Sequence, residues 1–404
     1  MKILQINAVG QTKSTGRTCR EIQAYLNDRT EHECRTVFAQ GTKDQFSFQI
    51  GNRFEWKIHA LLSRITGKQA HFSRIGTSRL LRYMDDYHPD VVILRNLHTN
   101  FIHFPKLMKY LAAHDIAVIA VLHDCWFFTG KCSYYTTTGC MRWKTGCHHC
   151  PRLKIDNPSW LFDATPSLWK EKKKLFEAIP RLAVVGVSDW VTNEARVSYL
   201  SCAKEILRIY NWIDLDVFCP QNDTDGLRKR YNLENKKVVL GVATFWGRIK
   251  GLSAQCTLAE KLGKEYTVVL IGKRCGGFKL PENIVSIPPT DSAEKLAKWY
   301  SLADVFVTTS LEETFGKVSA EAVSCGTPVV CFDSTANREL VGKGCGKSVK
   351  AGDLDEMLDA VIEICQNGKS RYQTACRSFA VKNFSQGDRI KDYIALAERL
   401  LAAH

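Results

Sequence analysis

The sequence predicts an α/β protein of two Rossmann-like units, each a parallel sheet flanked by helices. Three observations carry this expectation. Short apolar strands alternate with helix-like segments throughout, the pattern starts afresh near Lys236, and 404 residues exceed one ordinary core.

In the first half the clearest strands are Ile3–Ile6, Val91–Leu94, Ile116–Leu122 and Leu182–Val187, with Asp90 and Asp115 as turn residues leading into two of them. In the second half Val238–Val242, Thr267–Ile271, Val305–Thr308 and Pro328–Phe332 play the same part. Helices are expected over Ser292–Leu302 and Lys317–Cys325. Apolar residues at helical spacing (Ile390, Tyr393, Ile394, Leu396, Leu400) predict a terminal amphipathic helix. The join between units is expected around residues 200–220.

Composition narrows the class. No run of 18 apolar residues offers a spanning helix, and the opening Lys2–Asn7 reads as a buried strand with no apolar signal region behind it. A cytoplasmic protein is the expectation. The formal net charge of +14 is uneven, for residues 1–200 carry 28 Lys/Arg against 17 Asp/Glu. A basic first half suits an anionic partner such as phospholipid headgroups or a pyrophosphate-linked substrate. The plainer reading is charge for solubility. Nothing resembles a motif that would seat a helix or aromatic platform on bases, so nucleic acid is not expected.

The segment Ser310–Val330 carries the chemistry. A strand ends near Thr309, a turn containing Gly316 comes next, and a helix begins near Lys317 and stops at Gly326. Ligands of open parallel sheets bind at the carboxyl ends of strands, and free N–H groups at a helix start attract phosphate. Gly316 carries no Cβ to obstruct a close ligand. Glu313 and Glu321 flank this anion site and make sense as acceptors for hydroxyls on a sugar and a ribose. The competing reading is a solvated helix start, where acidic residues are common.

Glu313-Thr-Phe-Gly316, Glu321-Ala and Cys-Gly326-Thr-Pro-Val-Val together resemble the E-x7-E signature of glycosyltransferase family 4. The likeness extends over the chain, through Tyr300–Ser310 and through Asn211-Trp-Ile-Asp214 with Phe218 and Pro220, where Trp212 replaces the usual glycine. It implies a GT-B fold, two Rossmann-like domains facing across a cleft. The expected division is residues 1–205 for acceptor binding, with a cysteine-rich insertion at 125–151, residues 206–385 for the donor, and a terminal helical segment over 386–404 packing back on the first domain.

By the same resemblance Glu313 binds donor-sugar hydroxyls, Glu321 binds the ribose, and the backbone at Phe315, Gly316 and Lys317 runs along the diphosphate. Lys250, within Arg248-Ile-Lys250-Gly251, corresponds to the cation that stabilises the leaving nucleotide. Where the family usually places an arginine five residues earlier, this chain has Phe245, and Arg248 is the candidate substitute. His123, ending a first-domain strand, is implied to contact the donor sugar near the reacting carbon. A core histidine with a satisfied hydrogen bond is the alternative. The loop Gly10–Arg17, with Gly16 before a helix, resembles a glycine-containing loop near the diphosphate.

Asp-x-Asp pairs at 214/216, 223/225 and 353/355 are too cheap a pattern to imply a metal, and transfer without a metal cofactor is expected. Of 16 cysteines, most lie in apolar segments and read as small core residues. Cys132, Cys140, Cys147 and Cys150 differ. Their spacing ends in a C-x2-C pair and suits a structural zinc, with His148 or His149 as possible replacements for one ligand. A reduced cluster without metal is the alternative. The run Gly-Cys147-His-His-Cys150-Pro also looks like bacterial capsule and exopolysaccharide transferases of the colanic-acid type.

The combined expectation is a retaining transferase. It would move a hexosyl residue from a nucleotide diphosphate sugar to a polysaccharide or lipopolysaccharide precursor. The acceptor would be a polyprenyl-pyrophosphate-linked saccharide at an anionic membrane surface on the cytoplasmic side. A sugar-nucleotide epimerase of the same fold and a non-catalytic membrane-surface scaffold are the rivals.

Overall fold

The computed structural model describes residues 1–11, 13–274 and 279–402. Thr12, inside the expected 10–17 loop, and residues 403 and 404, at the end of the expected terminal segment, lie outside the described residues. The chain forms two compact units, one of residues 1–209 with 390 onward and one of residues 210–389.

The first unit is built on β1 (Lys2–Val9), β2 (Glu33–Gln40), β3 (Ser47–Gln49), β4 (Val91–Leu94), β5 (Ala117–Leu122), β6 (Leu182–Gly186) and β7 (Glu205–Arg208). They make one parallel sheet in the order β3-β2-β1-β4-β5-β6-β7. Every residue of β4 and β5 is buried, which is what a parallel strand covered by helices on both faces requires. Each Val, Ile or Leu so enclosed contributes about 1.5–3 kcal/mol relative to exposure.

The second unit comprises β8 (Lys237–Trp246), β9 (Tyr266–Arg274), β10 (Ile284–Ile287), β11 (Val305–Thr308), β12 (Val329–Asp333) and β13 (Gly346–Lys350). Their order, again parallel, is β10-β9-β8-β11-β12-β13. Its core gathers side chains from β8, β9, β11 and β12 with Leu258 and Met357 from flanking helices.

The topology positions the site. In each unit the chain winds outward from a central strand, returns to its other side and winds outward again. The reversal falls between β1 and β4 in the first unit and between β8 and β11 in the second. Crevices at the carboxyl ends of strands open at such reversals. The turn carrying Lys250 comes directly after β8, and the turn carrying Glu313 directly after β11.

Gly16 corrects the expected loop. The helix after β1 begins at Lys13, so Gly16 lies within its first turn. A Cβ there would sit 1.6 Å from the Gly10 carbonyl oxygen, and the glycine is needed to let the helix start pack on the end of β1.

Candidate functional site

In the second unit a register shift between Val242 and Phe245 bulges the end of β8 against β9. Trp246 nevertheless returns to the core, and its indole N–H donates to Ile271 O at 3.0 Å. Beyond it a tight turn leads to Gly251, which caps the helix Leu252–Lys261 at φ 70°. A Cβ at Gly251 would lie 2.4 Å from Thr309 Oγ1. The same hydroxyl is within 3.1 Å of Lys250 O and 3.0 Å of Gly251 O, tying the turn to the end of β11.

From β11 the chain enters the turn that ends at Gly316 (φ 82°), the cap of the helix Lys317–Ser324. No side chain caps this helix start, so its first N–H groups and dipole suit an anion. The turn is held from three sides. Glu313 N–H donates to Thr335 Oγ1 at 2.9 Å, and Ala336 N–H donates to Glu313 O at 3.2 Å. Asn337 donates through Nδ2 to Ser310 O at 2.7 Å. Phe315 turns inward and packs edge-on against Phe384 and beside Tyr210.

Lys250 and Glu313 meet here as an ion pair between the two turns. With Lys317, Trp246 and Thr308 they line a cavity of about 160 Å³. Thus a fixed cation, a carboxylate and an uncapped helix start converge where the topology opens a crevice.

Other expected residues stand apart. Arg248 is exposed on the turn before Lys250 and does not line that cavity, and Phe245 is also exposed. Glu321 is buried in the helix and accepts from the Tyr300 hydroxyl at 3.0 Å. The sequence reading missed Thr309, Thr335, Asn337 and Tyr300, which hold the turns and Glu321. The groups they hold are 21 or more residues away in the chain, so local pattern carries no trace of them.

In the first unit His123 comes after β5, and its Nε2 lies 3.1 Å from Nη1 of Arg95, which comes after β4 and is buried. Asp124 pairs with His98 at 3.0 Å. Burial, then the Arg95 charge, pushes His123 down to about 3, so its ring is neutral near pH 7. Burial alone would lower His98, but the charge and hydrogen bond of Asp124 leave it raised. Neither Arg95 nor His98 stood out in the sequence.

These shifts predict an acid limit on stability. His59, accepting or donating at Ser73 Oγ, is pushed down to about 3 by burial and then by His71 and His103; His103 is held at about 4 by burial and its cationic neighbours. Below about pH 6.5 the unfolded chain binds protons that these rings and His123 refuse, so stability present above that pH is lost toward pH 4. His98 opposes the trend as a single group. The unfolding midpoint is expected to fall between pH 7.5 and 5.0, and less in His59→Leu. A midpoint flat across that range in the wild type would contradict the burial of these rings as neutral groups.

Cys132, Cys140, Cys147 and Cys150 line one small cavity in the loop after β5. All four are free thiols. Among the described residues no three His, Cys, Asp or Glu side chains are placed around a common centre as they stand. No described helix is long and apolar enough to cross a membrane.

The two parallel sheets, each with its own strand-order reversal, are the fold of the GT-B glycosyltransferases. Residues 236–367, which carry Lys250, Glu313 and Glu321, match the family described as Glycosyl transferases group 1. A protein assigned provisionally as the colanic acid biosynthesis glycosyl transferase WcaC of Escherichia coli strain K12 is 25% identical over 306 residues, covering 74% of this chain and 72% of its own. The D-inositol 3-phosphate glycosyltransferase of Mycolicibacterium smegmatis is 27% identical over 210 residues, and this chain spans 47% of its length. Among solved structures, sucrose-phosphate synthase from Thermosynechococcus elongatus superposes with a TM-score of 0.71 at 14% identity, over 100% of both chains. HepE from Anabaena, in complex with UDP and glucose, has a TM-score of 0.66 at 15% identity, over 99% of this chain and 100% of its own.

Proposed function

We propose that the chain transfers a hexosyl residue from a nucleotide diphosphate sugar to a polysaccharide or lipopolysaccharide precursor, with retention of configuration. The observation that carries the reading is the Lys250–Glu313 pair beside an uncapped helix start at the β8/β11 reversal. Diphosphate oxygens take the helix N–H groups and Lys250, Glu313 accepts from sugar hydroxyls, and Glu321, held by Tyr300, serves the ribose. Lys250 and the helix dipole supply the positive charge at the leaving group, and no divalent ion is assigned a part. Retention and the contact of His123 with the donor sugar rest on the family resemblance. The likeness to WcaC supports an exopolysaccharide product, and the UDP and glucose of HepE support a uridine diphosphate hexose as the first donor to try.

The acceptor reading rests on the first unit. The helix Arg53–Thr66 exposes Phe54 (74%), Ile58 and Leu61 at i, i+4 and i+7, with Arg53, Lys57 and Arg64 also exposed on it. Trp160, Leu161 and Phe162 extend the apolar patch, with Arg64 over the Trp160 ring at 5.8 Å. Apolar side chains among lysines and arginines suit an anionic bilayer surface. A cavity of about 640 Å³ beside Arg53, Trp56 and Lys57 is where we assign the saccharide pyrophosphate of a lipid-linked acceptor.

One experiment tests both parts. The protein is mixed with a nucleotide-sugar panel, lipid-linked acceptors and anionic or neutral vesicles. Transfer from one donor class and co-flotation with anionic vesicles alone are expected. The variant Phe54→Ser/Ile58→Ser/Leu61→Ser should lose vesicle affinity by about 10³-fold, since three apolar side chains at about 1.5 kcal/mol each sum to ~4.5 kcal/mol on insertion. A free sugar or an epimerised donor as the sole product would replace the transferase reading; equal flotation of wild type and variant would end the membrane assignment.

A further inference from the structure

Between β5 and the helix Thr165–Glu177 the chain forms a long loop whose regular structure is two short 3-10 turns, Thr136–Thr138 and Arg142–Lys144. Aromatic packing anchors part of it, with Trp143 against Phe128 at 4.9 Å and Tyr135 at 5.2 Å. The remainder is organised around a cavity of about 20 Å³. Four thiols reach that cavity from four separate points of the loop. The glycosyl-transfer site makes no use of them.

We propose that Cys132, Cys140, Cys147 and Cys150 bind one zinc ion that staples this loop. Cys132 Sγ and Cys150 Sγ lie 3.9 Å apart. In a tetrahedron with Zn–S bonds of roughly 2.3 Å the sulfur–sulfur edge is about 3.8 Å, whereas a disulfide needs about 2.05 Å. Two of the four ligands therefore already stand at the spacing of one tetrahedral edge. Cys147 Sγ accepts from Gly130 N–H at 3.2 Å, the kind of donor that supports a ligating thiolate. Gly130 permits this approach, since a Cβ there would fall 3.0 Å from Cys147 Cβ and 2.8 Å from Thr165 Cβ.

Charge supplies an independent argument. Four thiolates around Zn²⁺ carry a net charge of about −2, after the four thiol protons leave to solvent. Two buried ammonium groups flank the loop. Lys131 donates to Arg152 O and Ile155 O at 2.8 Å, and Lys172 donates to Trp126 O and Thr129 O and lies over the Trp126 ring at 3.5 Å. Both are held by carbonyl oxygens and an aromatic face rather than by a carboxylate in hydrogen-bond contact. Burying a cation is costly, and a dianionic centre offsets part of that cost at both. Cys140 and Cys147, which line the same cavity, are the other two ligands of this assignment. The small cavity suits a single ion.

The test uses the full chain, purified without chelator or metal-affinity resin and assayed for metals by mass spectrometry. About one zinc per chain is expected, falling to roughly a tenth or less in Cys132→Ser/Cys150→Ser. Should that variant not fold, wild-type protein stripped and reloaded with cobalt(II) gives the readout. Tetrahedral thiolate coordination then appears as intense thiolate-to-cobalt charge-transfer and d–d absorption. Less than roughly a tenth of a zinc per chain in the wild type, stoichiometric iron, or a cobalt spectrum of octahedral oxygen coordination would each overturn the assignment.

Discussion

Glu313→Gln is expected to lower transfer by about 10²–10³-fold while leaving the unfolding midpoint within a few degrees of wild type. The reasoning separates position from charge. The turn at Glu313 is held through its backbone, by Thr335 Oγ1 and Ala336 N–H, so the amide occupies the place of the carboxylate. What disappears is the acceptor-only character of the group and its pairing with Lys250. A glutamine can still accept one sugar hydroxyl, but its NH₂ faces the ammonium that the carboxylate met. Initial rates at saturating donor, alongside thermal unfolding, check the expectation. Near-normal turnover in a folded variant would remove Glu313 from the reacting geometry.

Lys250→Met should also cost about 10²–10³-fold in turnover, through loss of the cation facing the leaving diphosphate. Here a stability cost accompanies it. Glu313 is only 15% exposed in its side chain and would be left without its partner, while Lys250 is 37% exposed and its pairing is screened by water. The net penalty is about 1–2 kcal/mol, well short of a fully buried pair. The double variant with Glu313→Gln should be less damaged than the product of the two single effects, because each removes part of the same pair. Independent, multiplicative losses would mean that the two residues act at separate places.

Much of this site was legible in the chain. The apolar runs Val91–Leu94 and Val305–Thr308 name their strands with the bounds observed, because a strand buried on both faces leaves an unbroken apolar signal. Gly316, the helix after it, Glu313 and Lys250 could likewise be read off motif and resemblance. Strand β2, with Arg35 and Thr36 amid its apolar residues, and the short outer strands β3, β7, β10 and β13 were not singled out, because half-polar or short segments resemble loops. The supports of the site were silent for another reason. Tyr300 reaches Glu321 across 21 residues and Arg95 reaches His123 across 28, so only the folded sheet brings them together. Gly16 was legible as a special glycine but not as a packing one, since the close approach of Gly10 is a tertiary event.

The most direct test of the donor site is a calorimetric titration of wild type, Glu313→Gln and Lys250→Met with the preferred nucleoside diphosphate and with its sugar-bearing form. If Lys250 faces the diphosphate and Glu313 the sugar, Lys250→Met weakens both ligands alike. Glu313→Gln then weakens only the sugar nucleotide, by about tenfold or more for a charged hydrogen bond worth roughly 1.5–3 kcal/mol. Equal affinity of all three proteins for both ligands would contradict the assignment of this cavity to the donor.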